Sequence, residues 1–325
     1  MTKNLSVVIP VYNSQENLPL LIKGLTEQLQ ALGNDYEIIL VNDGSRDRSW
    51  QVIESLCEKY PHIRSFELMR NYGQHNALLC GIRAANGDVI ITMDDDLQHP
   101  PEAIPLLLEE LEKGFDVVYG VPKEEKHSLW RNLTSKLIKQ ILRRAMRVST
   151  AQDISAYRVF RTEMRDSFED YKGTFVSIDV LLSWGTTRFS SVKVDHNKRH
   201  AGQSQYTLKK LLNHALTLVT GFSILPLQIS TLLGFVSILF GIAVLIYVII
   251  RFIASGGSVP GFTFLASTLA IFSGVQLFAI GMIGEYLGRL FSRTLGKPSY
   301  TVRTENVSQV TTLPKQHEVK EEKTL

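Results

Sequence analysis

Over its first ninety residues the chain switches repeatedly between two hydrophobic periods. Leu5-Ser6-Val7-Val8-Ile9 is a short, nearly continuous apolar run of the kind a buried strand needs. Leu18, Leu21, Ile22, Leu25 and Leu29 then recur at helical spacing across residues 17–32. The same exchange follows twice: strands over 36–41 and 63–68, helices over 48–60 and 71–85. It ends in the β-branched run Asp88-Val89-Ile90-Ile91-Thr92. Strands alternating with helices predict a parallel sheet covered on both faces. The fold class is α/β.

After residue 210 the pattern changes. Between Ala215 and Gly284 the only formally charged residue is Arg251, which excludes a wholly soluble protein. Segments 227–253 and 262–286 are each long enough to cross a hydrocarbon core of about 30 Å as a helix. Lys209 and Lys210 precede the first span, and Arg289, Arg293, Lys297 and Arg303 follow the second. The positive-inside rule therefore puts both ends in the cytoplasm. Gly274, Gly281 and Gly288 recur every seven residues with Gly284 beside them, a face suited to close packing within the hairpin or in a homo-oligomer. Glu285 and Arg289 are spaced for an i,i+4 ion pair. Residues 304–325 are polar and mixed in charge, and read as a disordered tail. The expected domains are a catalytic unit over 1–210, a membrane unit over 211–300, and that tail.

Charge and cysteine content change little in this picture. A net charge of +3 is too small to indicate nucleic acid. Cys57 and Cys80 lack metal-ligand spacing and read as small core residues in a reducing compartment. The N-terminal apolar run is too short for a signal peptide and passes directly into Pro10-Val11-Tyr12-Asn13.

The chemistry lies at the strand ends. In parallel sheets ligands bind beyond the carboxyl ends of the strands. Pro10-Val11-Tyr12-Asn13, Asp43-Gly44-Ser45 and Asp94-Asp95-Asp96 all fall there. Three adjacent carboxylates repel one another unless a cation relieves the conflict. Asp94 and Asp96, two residues apart, share a face of an extended segment, with Gln98 next on that face. A few hard oxygen ligands suit Mg²⁺ or Mn²⁺ shared with substrate phosphates. A solvated acidic turn capping the next helix is the plainer alternative. A Gly-x-Gly-x-x-Gly turn, a P-loop, an EF-hand and a nucleophilic triad are all missing. Tyr12 and Asp43 remain, suited to a base and its hydrogen-bonding edge.

Together the blocks 8–13, 41–45 and 94–102 resemble the signature segments of GT-A glycosyltransferases, and among these the polyprenyl-phosphate sugar transferases. Asn71-Tyr72-Gly73-Gln74-His75 and the two apolar spans are most similar to the bacterial branch, which includes bactoprenol glucosyltransferases and undecaprenyl-phosphate aminoarabinose transferases. The resemblance covers about residues 5–300 and implies a GT-A (Rossmann-like) catalytic domain, an interfacial helix region and a two-helix transmembrane hairpin. It implies that Pro10, Tyr12, Asp43 and Asp94 hold the nucleotide sugar, with Asp94, Asp96 and Gln98 at the metal. Where many relatives carry Glu after the Tyr-Asn pair, this chain has Ser14.

Residues 129–148 place Trp130 and other apolar side chains at helical spacing among six cations, including Lys139, Arg143 and Arg144. An amphipathic helix of this kind suits an anionic leaflet, although a surface helix with a solvated basic face has the same pattern. The resemblance adds Arg131 as a binder of the lipid phosphate. It also makes Asp153 a base or acceptor-positioner, against the simpler reading of an ion pair with Arg158. His196 and His200 lack a third ligand and read as solvated. Residues 199–204 resemble a block in which Arg199 and Ser204 close over the diphosphate.

The combined expectation is an inverting, metal-dependent hexosyltransferase at the cytoplasmic face of a bacterial inner membrane. It would transfer glucose from UDP-glucose to undecaprenyl phosphate. The alternatives are another nucleotide sugar (aminoarabinose or mannose), a processive polysaccharide synthase, and a non-catalytic membrane scaffold. The catalytic residues on this reading are Asp153, Asp96 and Arg131.

Overall fold

A computed structural model describes residues 4–123, 154–195, 225–254 and 261–307. These fall into two compact units, one holding residues up to 195 together with 297–307, the other the two long apolar helices.

The first unit is built on an eight-stranded mixed sheet in the order β7-β5-β6-β4-β1-β2-β3-β8. Its strands are β1 Leu5–Val11, β2 Tyr36–Asn42, β3 Ile63–Leu68, β4 Val89–Thr92, β5 Val117–Pro122, β6 Arg158–Arg161, β7 Phe189–Val194 and β8 Val302–Val307. The helices between them are α1 Leu18–Leu32, α2 Ser49–Lys59, α3 Gln74–Ala84, α4 Ile104–Glu112 and α5 Ile178–Gly185. β4, β1, β2 and β3 run parallel, as the alternation predicts. β6 is inserted antiparallel between β4 and β5.

Period-two alternation explains why the central strands read as continuous apolar runs. Val7, Ile9, Val11, Ile38 and Leu40 join α1 and α4 in one core cluster. Val8, Ile39 and Val41 meet α3 on the opposite face. Gly81 sets that approach, because a Cβ there would lie 2.4 Å from Val8 Cγ1. Both faces are buried, so these strands have no solvent-facing side. α3 begins at Gln74 and not at residue 71, because the preceding residues are used to organise the site.

β8 corrects the expected tail. Residues 302–307 pair antiparallel with β3, and Ser65 opposes Asn306. Arg64 Nη2 lies 3.6 Å from Glu305 and Arg303 Nη1 lies 3.9 Å from Glu67. A polar edge strand joined through its backbone ladder carries no hydrophobic period, so composition alone reads it as tail.

In the second unit, α6 (Leu225–Ala254) and α7 (Phe262–Thr294) are long and apolar enough to cross a membrane. They pack on each other at Gly241, where an added Cβ would meet the Phe272 ring at 2.8 Å. A Cβ at Gly274, Gly281, Gly284 or Gly288 would meet nothing within 4 Å, so that glycine face is not the seam with α6. The expected ion pair forms, with Arg289 Nη2 2.7 Å from Glu285.

Candidate active site at the strand ends

The register places the three polar clusters side by side. Val11 is level with Asn42, and β4 ends at Thr92 opposite Val8. The chain enters β6 at the same edge, since Arg158 lies opposite Thr92 and Thr92 Oγ1 donates to Ala156 O at 2.9 Å.

The loops after β1 and β2 are stitched to each other. Asn13 N donates to Ser45 Oγ (3.0 Å), Ser14 N to Ser49 Oγ (2.9 Å) and Gln15 N to Asp47 (3.2 Å). In return Arg46 N donates to Asn13 Oδ1 (2.8 Å) and Arg48 N to Gln15 Oε1 (2.9 Å). Each loop satisfies the other's backbone donors, which fixes the wall of the site without regular structure. Pro10 is buried inside β1, two residues short of this wall. Tyr12 stands at its rim with its side chain 39% exposed.

The acidic run divides its labour. Asp95 reaches back to the loop after β1 and accepts from Tyr12 N at 3.0 Å. Burial raises its pKa, while hydrogen bonds from Ser14 and Tyr12 oppose the rise. Ser14 therefore has a partner of its own. Asp94 accepts from Gln74 Nε2 at 2.5 Å, and its backbone N–H donates to His99 Nδ1 at 3.2 Å. His99 is buried and stacked 5.1 Å from Tyr157, whose hydroxyl donates to Pro100 O. The strict alternation expected through Gln98 fails. Leu97 is left-handed (φ 61°), and Gln98 donates its backbone N–H to Asp96 Oδ1 at 3.1 Å. A bend, and not an extended strand, brings Gln98 past Asp96.

Among the described residues no group of three or more His, Cys, Asp or Glu side chains could by itself hold a metal ion. With Asp95 bonded to the Tyr12 backbone, Asp94 and Asp96 lie at the strand end. This small hard-oxygen set fits a divalent cation that takes its remaining ligands from phosphate and water.

Asp43 sits deeper than a base-reading residue at an open rim. It is buried, and its two carboxylate oxygens accept from Tyr72 N (2.7 Å) and Gly73 N (2.9 Å). Burial raises its pKa and these two bonds oppose the rise. Gly44 allows this closure: its φ is 64°, and a Cβ would lie 2.6 Å from the backbone of Arg70 and Asn71. The segment before α3 is thereby held against the end of β2. Arg70 covers the Tyr72 ring at 4.6 Å.

Arg158, weighed from sequence as a partner for Asp153, pairs with Asp179 on α5 at 2.6 Å in the buried interior. Tyr119 also donates to Asp179, at 3.0 Å. Asp153, Trp130, Arg131, Lys139, Arg143, Arg144, Arg199 and Ser204 lie outside the described residues. Of the expected site residues, the structure gathers Tyr12, Asp43, Asp94, Asp96 and Gln98 on one edge. Sequence reasoning missed Asp95, Gln74 and His99 as organisers of that edge. The Asn71-Tyr72-Gly73-Gln74-His75 segment already singled out was the available signal for Gln74.

Comparison with known proteins agrees with this arrangement. The family described as glycosyl transferase family 2 matches residues 6–171. Undecaprenyl-phosphate 4-deoxy-4-formamido-L-arabinose transferases of Pectobacterium carotovorum and Pectobacterium atrosepticum are each 37% identical over 314 residues, covering 96% of this chain and 96% of each relative. The fold is similar to that of glucosyl-3-phosphoglycerate synthase from Mycobacterium tuberculosis, crystallised with Mn²⁺, UDP-glucose and phosphoglyceric acid. That likeness has a TM-score of 0.51 at 17% identity, covering 67% of this chain and 78% of that one. With its mixed GT-A sheet and the acidic run at the end of β4, the chain belongs to glycosyl transferase family 2 and is a glycosyltransferase.

Proposed function

We propose that this enzyme transfers a sugar from a nucleoside diphosphate to undecaprenyl phosphate at the cytoplasmic face of a membrane. The observation that carries the reading is the divided acidic run: Asp95 is committed to the Tyr12 backbone, and Asp94 and Asp96 are left at the strand-end edge. A divalent cation, Mg²⁺ or Mn²⁺, would be held by Asp94 and Asp96 with Gln98 nearby, and would stabilise the charge of the leaving diphosphate. The exposed Tyr12 ring would face the base. Asp43 would act by fixing the 70–73 segment beneath it.

The relatives' names move the donor away from the glucose expected from sequence. A 4-deoxy-4-formamido-L-arabinosyl donor, close to the aminoarabinose alternative, is the better-supported sugar, because the likeness spans 96% of both chains. UDP is the nucleotide we assign.

In the reaction an acceptor phosphate oxygen attacks the anomeric carbon as its bond to the diphosphate oxygen breaks, which inverts the configuration. A phosphate monoester with a second pKa of about 6 is largely a dianion at neutral pH, so positioning matters more than a strong base. Arg131 and the basic segment 129–148 would supply that positioning. Asp153 would stand near the reacting centre, because β6 begins at the same sheet edge a few residues later. Arg199 and Ser204 would close over the diphosphate.

A donor panel with purified protein and undecaprenyl phosphate, read by the mass of the lipid product, tests this. We expect a formamido-pentosyl lipid from the UDP-linked donor, lost with chelator and restored by Mg²⁺ or Mn²⁺. A glucosyl lipid would return the donor to glucose. Absence of any sugar-lipid across the panel would overturn the acceptor.

A further inference from the structure

The acidic edge leans on a segment that has no regular structure of its own. Residues 70–73 run from β3 to α3, and the backbone N–H groups of Tyr72 and Gly73 bind Asp43. Directly after them Gln74 reaches Asp94. Such a segment is ordered only as far as its bonds and its two flanks fix it.

Both flanks are held by one stretch, residues 299–303, that lies far off in sequence. On the β3 side the ladder to β8 shifts register between Glu67 and Leu68, and Leu68 opposes Val302. One residue on, Met69 N donates to Thr301 O at 2.9 Å and Met69 O accepts from Arg303 Nη2 at 3.4 Å. The residue that opens the segment thus has both of its backbone groups taken by this stretch. On the α3 side Tyr300 is hydrogen-bonded to Cys80 and to Arg83, and its ring centroid lies 5.9 Å from the Arg83 guanidinium. Cys80 and Arg83 belong to the same rigid helix whose first residue is Gln74. Ser299 Oγ adds a bond to Gly173 O at 2.7 Å, in the loop that Arg83 Nη2 holds through Glu169 O and Tyr171 O. Pairing of β3 with β8 from Arg64 to Glu67 already closes the sheet edge. The contacts of 299–303 lie beyond that ladder and converge on the two flanks of the segment 70–73.

We propose that residues 299–303 are a strap that positions the donor edge, with Tyr300 and Arg303 as positioning residues acting through Met69 and α3. This rests on reading the strand-end edge as the nucleotide-sugar site. Loosening the strap would leave the residues of the site unchanged and lower the fraction of molecules in which Tyr72, Gly73 and Gln74 are in place. Apparent donor affinity then falls in proportion to that fraction, while turnover at saturating donor is retained. A strand that served stability alone would lower the melting temperature and leave donor affinity as it was.

The test compares the full-length parent with Tyr300→Ala and with Arg303→Met. The Arg303 side chain is 54% exposed, so the second variant folds even where the first does not. If the competent fraction drops to about a tenth, calorimetric titration with UDP and Mn²⁺ should show Kd raised about tenfold, and donor KM should rise alike with kcat within about twofold. Hydrogen exchange should quicken at Tyr72 and Gly73 and stay unchanged at residues 13–15 and 46–49, whose loops are bonded to each other. Unchanged exchange at Tyr72 and Gly73 would overturn the proposal. So would a uniform rise that includes the β1 and β2 loops, or a local rise with unaltered UDP binding. Should the parent bind no UDP, the nucleotide reading falls, and the exchange pattern still decides whether the strap orders the segment.

Discussion

The loops leaving β1 and β2 and the loop leaving β4 occupy the same edge of the same sheet, yet they solve opposite problems. The first two are closed on themselves. Ser49 Oγ, Asp47, Asn13 Oδ1 and Gln15 Oε1 all accept from backbone N–H groups of the partner loop or their own. The third gives one carboxylate to the backbone of the β1 loop, one to the Gln74 side chain and one to its own next turn. A position beyond a strand end does not make a residue functional. What matters is whether the polar atoms found there are already committed to the fold.

The sharpest way to break this comparison is to change neighbours within one run. On the proposed function Asp96→Asn removes a charge that would hold the cation, and a metal site contributes several kcal/mol of charge stabilisation, so kcat should fall about a hundredfold or more. Its Tm should move by no more than about 2 °C. Asp95→Asn should do the reverse in kind. It weakens the acceptance from Tyr12 N and Ser14, at a cost of about 1–3 kcal/mol in stability. Urea unfolding and metal-dependent kinetics on both variants decide the matter. Equal stability losses, or an Asp96→Asn enzyme with full activity, would erase the division between the two carboxylates.

That division also shows what could be read in advance. The alternation of strand and helix periods, the parallel core and the two long spans were all legible, because a repeating hydrophobic pattern records them. Asp94, Asp96 and Tyr12 were legible as residues placed after a strand. The bonds that set their roles were not. Asp95 reaches back to Tyr12, Asp43 forward to Tyr72, and Arg158 forward to Asp179, and such distant pairs leave no period in the chain. The edge strand β8 escaped for the related reason that its register depends on backbone and charge.

A middle-sized effect tests Asp43 as part of the closed wall. Burial raises its pKa in the folded protein, so the native state holds that proton more tightly than the unfolded chain does. Its stability contribution is therefore fully present below the ordinary carboxylate range and declines as pH rises through the raised value. Asp43→Asn has no such titration. Urea midpoints measured from acid to neutral pH should show the parent's advantage over the variant greatest in acid and shrinking as pH rises. A constant difference across that range would mean that the carboxylate titrates as it does in the unfolded chain.

The smallest effect isolates a single stitch. Asn13 is left-handed (φ 54°) and exposed, and its side-chain oxygen accepts from Arg46 N at 2.8 Å. Two substitutions separate these features. Asn13→Gly removes the bond but suits the backbone, so it should cost only about 0.5 kcal/mol, because water can replace the lost acceptor at an exposed site. Asn13→Ala removes the same bond but keeps a Cβ in the left-handed region, without the short polar side chain that lets Asn visit it, so it should cost about 1 kcal/mol more than Gly. Neither side chain is assigned to substrate, so donor KM should change less than about twofold in both variants, as expected for surface changes of this size. If Gly and Ala prove equally costly, the hydrogen bond and not the backbone conformation is what Asn13 supplies. If donor KM rises tenfold in both, the wall between β1 and β2 is itself a binding surface, and the contrast between it and the acidic run does not hold.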